Sequence, residues 1–341
     1  MPQTVSRSRL SGLVDAFRGL RIAIVGDFVL DRFLHGRPKR ISREAPVLIL
    51  RYVDQEDVPG GGANTAANVA SLGGVAVVAG AVGNDPEGES LRRLFAERGI
   101  DGGLLTGVDG YSTPTKTRIL AGGRHSIKQQ VVRIDREEPL VENGSWSAAL
   151  RQRVVEAAAA ADVLVLADYG YGSARPEWIG VAKSARPKLP VLVDSRFRLS
   201  EFGGADAATP NEEELEQAAG AAGAEDEAAF DATGSSLLST LSARALLVTR
   251  GSRGMALFEA GKETFRVPVH GTDQVADVTG AGDTVMATFA LALATGATFR
   301  EAALLSNFAG GIVVLKMGTA TVSADELKEA IASDRAILRA P

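Results

Sequence analysis

Five short runs of the chain are almost wholly apolar and rich in β-branched residues. They are RIAIVGD (21–27), VAVVAGAVG (75–83), DVLVLADY (162–169), PVLVDS (190–195) and ALLVTRG (245–251). A strand with one wet face alternates; a continuous apolar run of this length belongs to a strand covered by helices on both faces. Helical patterns occupy the intervals 62–72, 86–98, 145–161, 175–186, 211–219 and 283–296. This alternation predicts a doubly wound, mostly parallel α/β sheet flanked by helices.

Two stretches, 31–58 and 111–138, break the rhythm with polar–apolar alternation, turn signals and no convincing helix. They read as antiparallel strands outside the main sheet and predict a small β-strand lid. The main domain is expected over 20–335, with 1–19 as a helical N-terminal extension. The low-complexity stretch AAGAAGAEDEAAFDATG (218–234) reads as a helix–loop insertion without chemistry.

Composition narrows the function. Apolar residues make up 45% and charged residues 23%, ordinary values for a globular protein. The net charge of -5 does not point to nucleic acid, which calls for a clustered basic surface. Without cysteine there are no disulfides, thiol nucleophiles or cysteine metal sites, and the three histidines (His35, His125, His270) are scattered. The first residues carry no apolar run of signal-peptide length, and no segment reads as a membrane span. A cytoplasmic enzyme is the expectation.

The chemistry concentrates in glycine-rich turns. DVTGAGDTVMATF (277–289) runs a small-residue turn straight into an apolar helix, although glycine inside a helix costs about 1 kcal/mol relative to alanine. Unpaired N–H groups and the helix dipole suit such a turn to an anion, and Gly280 and Gly282 would let phosphate oxygens reach the main chain. Asp283 would repel that anion unless it takes a proton from a hydroxyl attacking the phosphate; the alternative is a simple helix cap. PGGGANTAANVASLGG (59–74) presents Asn64 and Asn68 one turn apart, a pair of amides suited to a polyhydroxylated ligand. GDFVLDRF (26–33) puts Asp27 and Asp31 where the chain leaves the first strand, with Asp31 the better sugar partner. TPNEEELE (209–216) spaces Asn211 and Glu214 for a helix cap or for magnesium ordered through water. VTRGSRG (248–254), with Gly251 and Gly254, is a turn able to accept a nucleotide or a plain β-turn.

Taken together and in this order, DVTGAGDT, GGGANTAAN, the N-x-x-E of NEEE and the T-x-G-x-x-G of TRGSRG resemble the ribokinase-like carbohydrate kinases over residues 20–330. Further stretches (GDFVLDRFLHGRPKRISREAPV, TPTKTRIL, ADYGYG, KMGTATVS) are similar to the heptose 7-phosphate kinases of ADP-heptose synthesis. The resemblance implies ATP-dependent phosphorylation of the anomeric oxygen of D-glycero-β-D-manno-heptose 7-phosphate, in a kinase-only form. It implies Asp283 as catalytic base, with Gly280, Ala281 and Gly282 as the anion hole. Asn211 and Glu214 would serve nucleotide and magnesium, Thr249 and Gly251 the nucleotide, and Asn307 the adenine side. Asp277 and Thr279 match positions that bind a monovalent cation such as potassium, and Asp31, Gly61, Gly62 and Asn64 would hold the sugar. A phosphorylated acceptor needs a second anion site, for which the lid offers Arg40, Lys116, Arg118 and Arg133.

Two departures fall near the expected phosphate contacts: ADYGYG places Tyr171 where a basic residue is expected, and VDSRF with Arg196 replaces Asp-Pro-Lys. An unphosphorylated sugar or nucleoside as acceptor, or a non-catalytic sugar or nucleotide sensor, are the competing readings. Exposed strand edges in the lid predict a homodimer formed through it.

Overall fold

A computed structural model of the chain describes residues 5–122, 128–141, 144–221, 226–271 and 276–334. His125 and the last residue of the expected domain, at position 335, lie outside the described residues. The first third holds α1 (Arg7–Asp15), β1 (Arg21–Gly26), β2 (Phe28–Ile41), β3 (Leu48–Gly61), α2 (Gly62–Ser71), β4 (Val75–Gly83), α3 (Pro86–Glu97) and β5 (Asp101–Val108). Next come β6 (Thr115–Ala121), β7 (Gln129–Arg136), α4 (Trp146–Ala160), β8 (Val163–Asp168), α5 (Glu177–Ala185), β9 (Val191–Ser195) and β10 (Ala207–Ala208). The chain finishes with α6 (Glu212–Ala219), α7 (Glu227–Leu241), β11 (Ala245–Thr249), β12 (Met255–Glu259), β13 (Phe265–Val267), α8 (Ala281–Ala294), α9 (Phe299–Val313) and α10 (Ala324–Ser333).

Nine strands form the main sheet in the order β13-β12-β11-β10-β9-β8-β1-β4-β5, parallel except where β12 pairs with its two neighbours. The continuous apolar runs have the expected cause. In β1, Ile22 and Ile24 enter one core with α2, α8 and α9, while Ala23 and Val25 enter a second core with α4 and α5. Helix α1 is docked, with Leu10 and Phe17 fully buried.

Helix α7 corrects the reading of 218–234 as an insertion. Its Phe230 is buried in the second core, and Gly234 lies where a Cβ would stand 2.3 Å from the Phe258 ring. The glycine that made the stretch look featureless is there because an aromatic ring packs on the helix backbone.

The second sheet has four strands in the order β3-β2-β6-β7. The β2–β3 and β6–β7 pairs are antiparallel as expected, but the central β2–β6 pair, which joins the two stretches, is parallel. It begins at Phe28, paired with Gly61, and its outer half projects away from the body: the last five residues of β2 and all of β7 are exposed. Register sets its chemistry. Asp31 lies beside Lys116 and Lys116 beside Asp135; one row further out Phe33, Arg118 and Arg133 are aligned. Paired residues share a face and alternate residues return to it, so one face of this lid gathers Asp31, Lys116, Arg118, Arg133 and Asp135. Arg32, Asp57 and Arg136 lie on the other face, paired with each other or with Glu87. Leu34, Ile119 and Val132 align on the opposite face.

Candidate active site

The carboxyl ends of β1 and β8, the start of α2 and the start of α8 converge under the root of the lid. Asp283 sits at their meeting point, 6% exposed. Its side chain does not cap α8. Instead it accepts from Asn64 Nδ2 at 2.8 Å on Oδ2, and from Thr65 Oγ1 at 3.2 Å and Tyr169 Oη at 2.5 Å on Oδ1. Burial pushes its carboxyl up to about 6, partly offset by those three donors. A carboxyl poised there is ionised at neutral pH and still basic enough to take a proton from a hydroxyl.

The glycine turn divides its labour. Gly280 has φ 77°, and a Cβ there would stand 2.4 Å from Asn64 Nδ2, so the close approach it permits is that of Asn64. Gly282 has nothing within 4 Å of a hypothetical Cβ and faces open space, as a ligand-facing glycine would. Of the amides expected to form an anion hole, that of Ala281 already donates to Val278 O at 3.2 Å. Ala281 is therefore removed from the donor set. The N–H groups of Gly282 and Asp283 open the first turn of α8, where helical donors lack partners.

Asn64 and Asn68 do not form an amide pair for a ligand. Asn68 donates to Asn64 O at 3.0 Å and accepts from Thr284 Oγ1 at 3.1 Å, so it rivets α2 to α8. The one-turn spacing gave the shared face correctly but could not tell which neighbour covered it. Gly62 packs α2 on the sheet, since a Cβ would meet Asp27 O at 2.9 Å. At Gly61 a Cβ would lie 3.3 Å from the Tyr169 ring, so this glycine seats that ring.

Asp31 is buried, lies over Gly60 and pairs with Arg118 at 2.5 Å. Arg40 is not in this cluster: nine residues further along β2, it is roughly 30 Å away by strand rise, exposed, and among the described residues bonded only to the Ile41 carbonyl. Lys116 pairs with Glu137 and, at 3.5 Å, with Asp135; Arg133 also pairs with Asp135. These residues wall a cavity of about 420 Å³ together with Tyr169, Tyr171, Arg196 and Phe197. The two departures noted in the sequence thus meet in one cavity. Arg196 stands 5.6 Å from the Phe197 ring and, among the described residues, forms no ion pair.

On the other side of Asp283, Asn211 and Glu214 form a reciprocal capping box at the start of α6. Glu214 keeps one oxygen free of it, since only Oε2 accepts the Asn211 N–H. Asp194, at the end of β9, was not singled out from the sequence. Burial and the neighbouring Glu214 and Asp283 hold the Asp194 carboxyl well above the usual range, and burial raises Glu214 as well. Among the described residues no group of three such side chains could hold a metal ion alone. One or two carboxylates completed by phosphate oxygens and water is, however, the usual setting for magnesium.

Thr249 bridges to Asn211, and Gly251, φ 54°, lies exposed beside it. Gly254 has another purpose: a Cβ would stand 2.1 Å from Val267 O, so it lets β13 pass. Asn307 is buried and donates to Pro268 O at 3.0 Å. Both Asp277 oxygens accept backbone N–H groups, from Thr279 at 2.9 Å and Gly318 at 3.0 Å.

A doubly wound sheet with a β lid, closing over a glycine turn and one buried carboxylate, defines a ribokinase-like kinase. The fold superposes on Arabidopsis thaliana ribokinase complexed with ribose and ATP (TM-score 0.71, 20% identity, 93% of this chain and 100% of that one). It also superposes on Escherichia coli phosphofructokinase-2 in complex with potassium (TM-score 0.73, 21% identity, 92% and 98%). The model of the pfkB family carbohydrate kinases matches residues 21–326, and the chain belongs to that family. Among its relatives, the bifunctional protein HldE of Nitrosococcus oceani is 40% identical over 324 residues, 95% of this chain and 66% of that protein. HldE of Pseudomonas aeruginosa is 40% identical over 322 residues, 93% and 66%. The chain therefore spans slightly under two thirds of the length of these relatives. Among the described residues no helix is long and apolar enough to cross a membrane.

Proposed function

We propose that this kinase transfers the γ-phosphoryl group of ATP to the anomeric hydroxyl of D-glycero-β-D-manno-heptose 7-phosphate, giving the 1,7-bisphosphate. The observation that carries a phosphorylated acceptor is the cavity that reaches Asp283 through its partner Tyr169. Lys116 and Arg133 line it with their partners Asp135 and Glu137, and Arg196 adds a cation without an ion pair among the described residues. The 40% identity to HldE along nearly the whole chain supports the heptose.

Phosphoryl transfer asks a protein for positioning and charge stabilisation more than for covalent chemistry. Asp283 takes the acceptor proton as the oxygen attacks phosphorus. The N–H groups of Gly282 and Asp283, with the positive end of α8, face the charge that grows on the transferred group. Thr249 and Gly251 border the nucleotide. Asp31, fixed by Arg118, and Asn64 border the sugar. Glu214 and Asp194 fit a magnesium ion, which when bound neutralises charge on the β- and γ-phosphates. Each Asp277 oxygen accepts one backbone N–H and keeps a lone pair able to meet a potassium ion beside Thr279; no step is assigned to that ion.

The lid pairs with the lid of a second copy in this reading. Its outward face aligns Leu34, Ile119 and Val132, and Val132 and Ile134 are 45% and 58% exposed. Unpaired apolar strands of this kind are association surfaces.

ADP release with ATP, Mg²⁺ and a panel of heptose 7-phosphate, fructose 6-phosphate, ribose, fructose and dephosphorylated heptose tests the proposal. Turnover is expected to be fastest with heptose 7-phosphate, with a new anomeric phosphorus signal. Equal kcat/KM for heptose with and without its phosphate contradicts a phosphate-binding acceptor site, and binding without ADP release contradicts catalysis.

A further inference from the structure

We infer that Asp27 and Tyr169 are positioning residues, which act through Asp283 to hold its carboxylate with one oxygen free for the acceptor proton. The inference rests on the reading of Asp283 as the base. It starts from the loop DYGYGS, residues 168–173, which follows β8. Gly170 and Gly172 have φ 83° and 94°. Alternating left-handed glycines turn the intervening N–H groups toward one side, the geometry of an anion-binding nest.

The anion in this nest is a side chain of the protein. Asp27 is 1% exposed; its Oδ2 accepts from Tyr169 N and Tyr171 N, each at 2.9 Å, and its Oδ1 from Ser173 N at 2.8 Å. A buried carboxylate is expensive unless its oxygens are fully used. Here three backbone donors use them, and the loop is fixed at the residue whose side chain matters. The Tyr169 ring rests against Gly61, and its hydroxyl donates to Asp283 Oδ1.

Counting acceptor sites on Asp283 then identifies the reacting atom. Oδ1 accepts two hydroxyls, from Thr65 and Tyr169, which uses both of its lone pairs. Among the described residues Oδ2 accepts only the Asn64 amide, so Oδ2 keeps one lone pair. Proton transfer forms an O–H bond at Oδ2 as the acceptor O–H breaks. That oxygen bonds to the γ-phosphorus of ATP, whose bond to the bridging oxygen breaks so that ADP leaves. Asp31, Asp194 and Glu214 are the acidic groups facing Asp283. Arg118 offsets Asp31, and Arg196 lies near the other two. The direct support for the ionised form of Asp283 is its three neutral donors.

The test compares Tyr169→Phe and Asp27→Asn with wild type, using Asp283→Asn as the reference. Tyr169→Phe removes one hydroxyl from the cavity wall. KM for both substrates should stay within about 2-fold while kcat falls roughly 10-fold, the weight of one hydrogen bond to a charged group. The acid limb of the kcat–pH profile should move up by about one pH unit, because a donor to the ionised form is lost. Asp27→Asn should move the limb the same way, and the double variant should be non-additive, since both act along one path. If Asp27→Asn does not fold, Tyr169→Phe decides alone. An unchanged kcat and acid limb in Tyr169→Phe, with Asp283→Asn inactive, overturns the positioning role and leaves the base in place. An active Asp283→Asn overturns the base assignment and this inference with it.

Discussion

In the proposed mechanism the chemistry turns on Asp283, and its surroundings give it a measurable property. Burial raises its carboxyl to about 6. As a base it must be ionised, so activity is full above that value and falls as pH drops through it, about tenfold per unit below. kcat/KM measured from pH 4.5 to 8 should show this acid limb near 6, because that ratio reports the free enzyme; a limb near 4 would belong to an ordinary solvated carboxyl. The stability sign is opposite to the catalytic one. A folded-state value above the unfolded one means that the contribution of this group to stability is present at low pH and lost as pH rises through 6. At single residues the sequence was legible only in part. A cap and a base are both aspartates at a helix start, and only the three donors on Asp283 separate them. Tyr169 and Asp194 went unselected, although both lie at strand carboxyl ends, where ligands of open sheets bind.

At the scale of the element, the turn into α8 explains why so costly a stretch is tolerated. Its two glycines do different work, and substitution separates them. Gly280→Ala meets both a left-handed φ and the Asn64 amide, so it should destabilise the fold by about 1–3 kcal/mol and lower kcat. Gly282→Ala finds open space, so stability should change by no more than about 0.5 kcal/mol while the KM for ATP rises. Denaturant unfolding with steady-state kinetics checks both; equal effects at the two positions would contradict the division. Elements with a strong period were readable: β4 occupies the predicted 75–83, and the α2, α3 and α4 helices lie within a residue or so of expectation. Helix α9 escaped because it is buried almost all round and so shows no polar face, and β5 because three glycines dilute its pattern. β10 has two residues, too few for any period to show.

At the scale of the molecule, the lid carries two faces with two purposes. One face turns Lys116 and Arg133 to the cavity, where the proposed sugar phosphate would meet them and Arg196. The opposite face, with Val132 and Ile134 exposed, is the one proposed to meet a second copy. Ile134→Asp should convert a dimer to a monomer in light scattering with the body still folded, and an unchanged mass would contradict association through this face. The existence and limits of the lid were legible because alternation marks a sheet with two different faces; Arg40 was misplaced because alternation says nothing about how far a strand projects. The central claim, that one buried carboxylate deprotonates the acceptor at the start of α8, is tested most directly by Asp283→Asn, with turnover and ATP affinity measured on the same preparation. The predicted result is a loss of roughly 10²–10⁴ in kcat with the ATP dissociation constant within about 2-fold. Turnover close to wild type would contradict it.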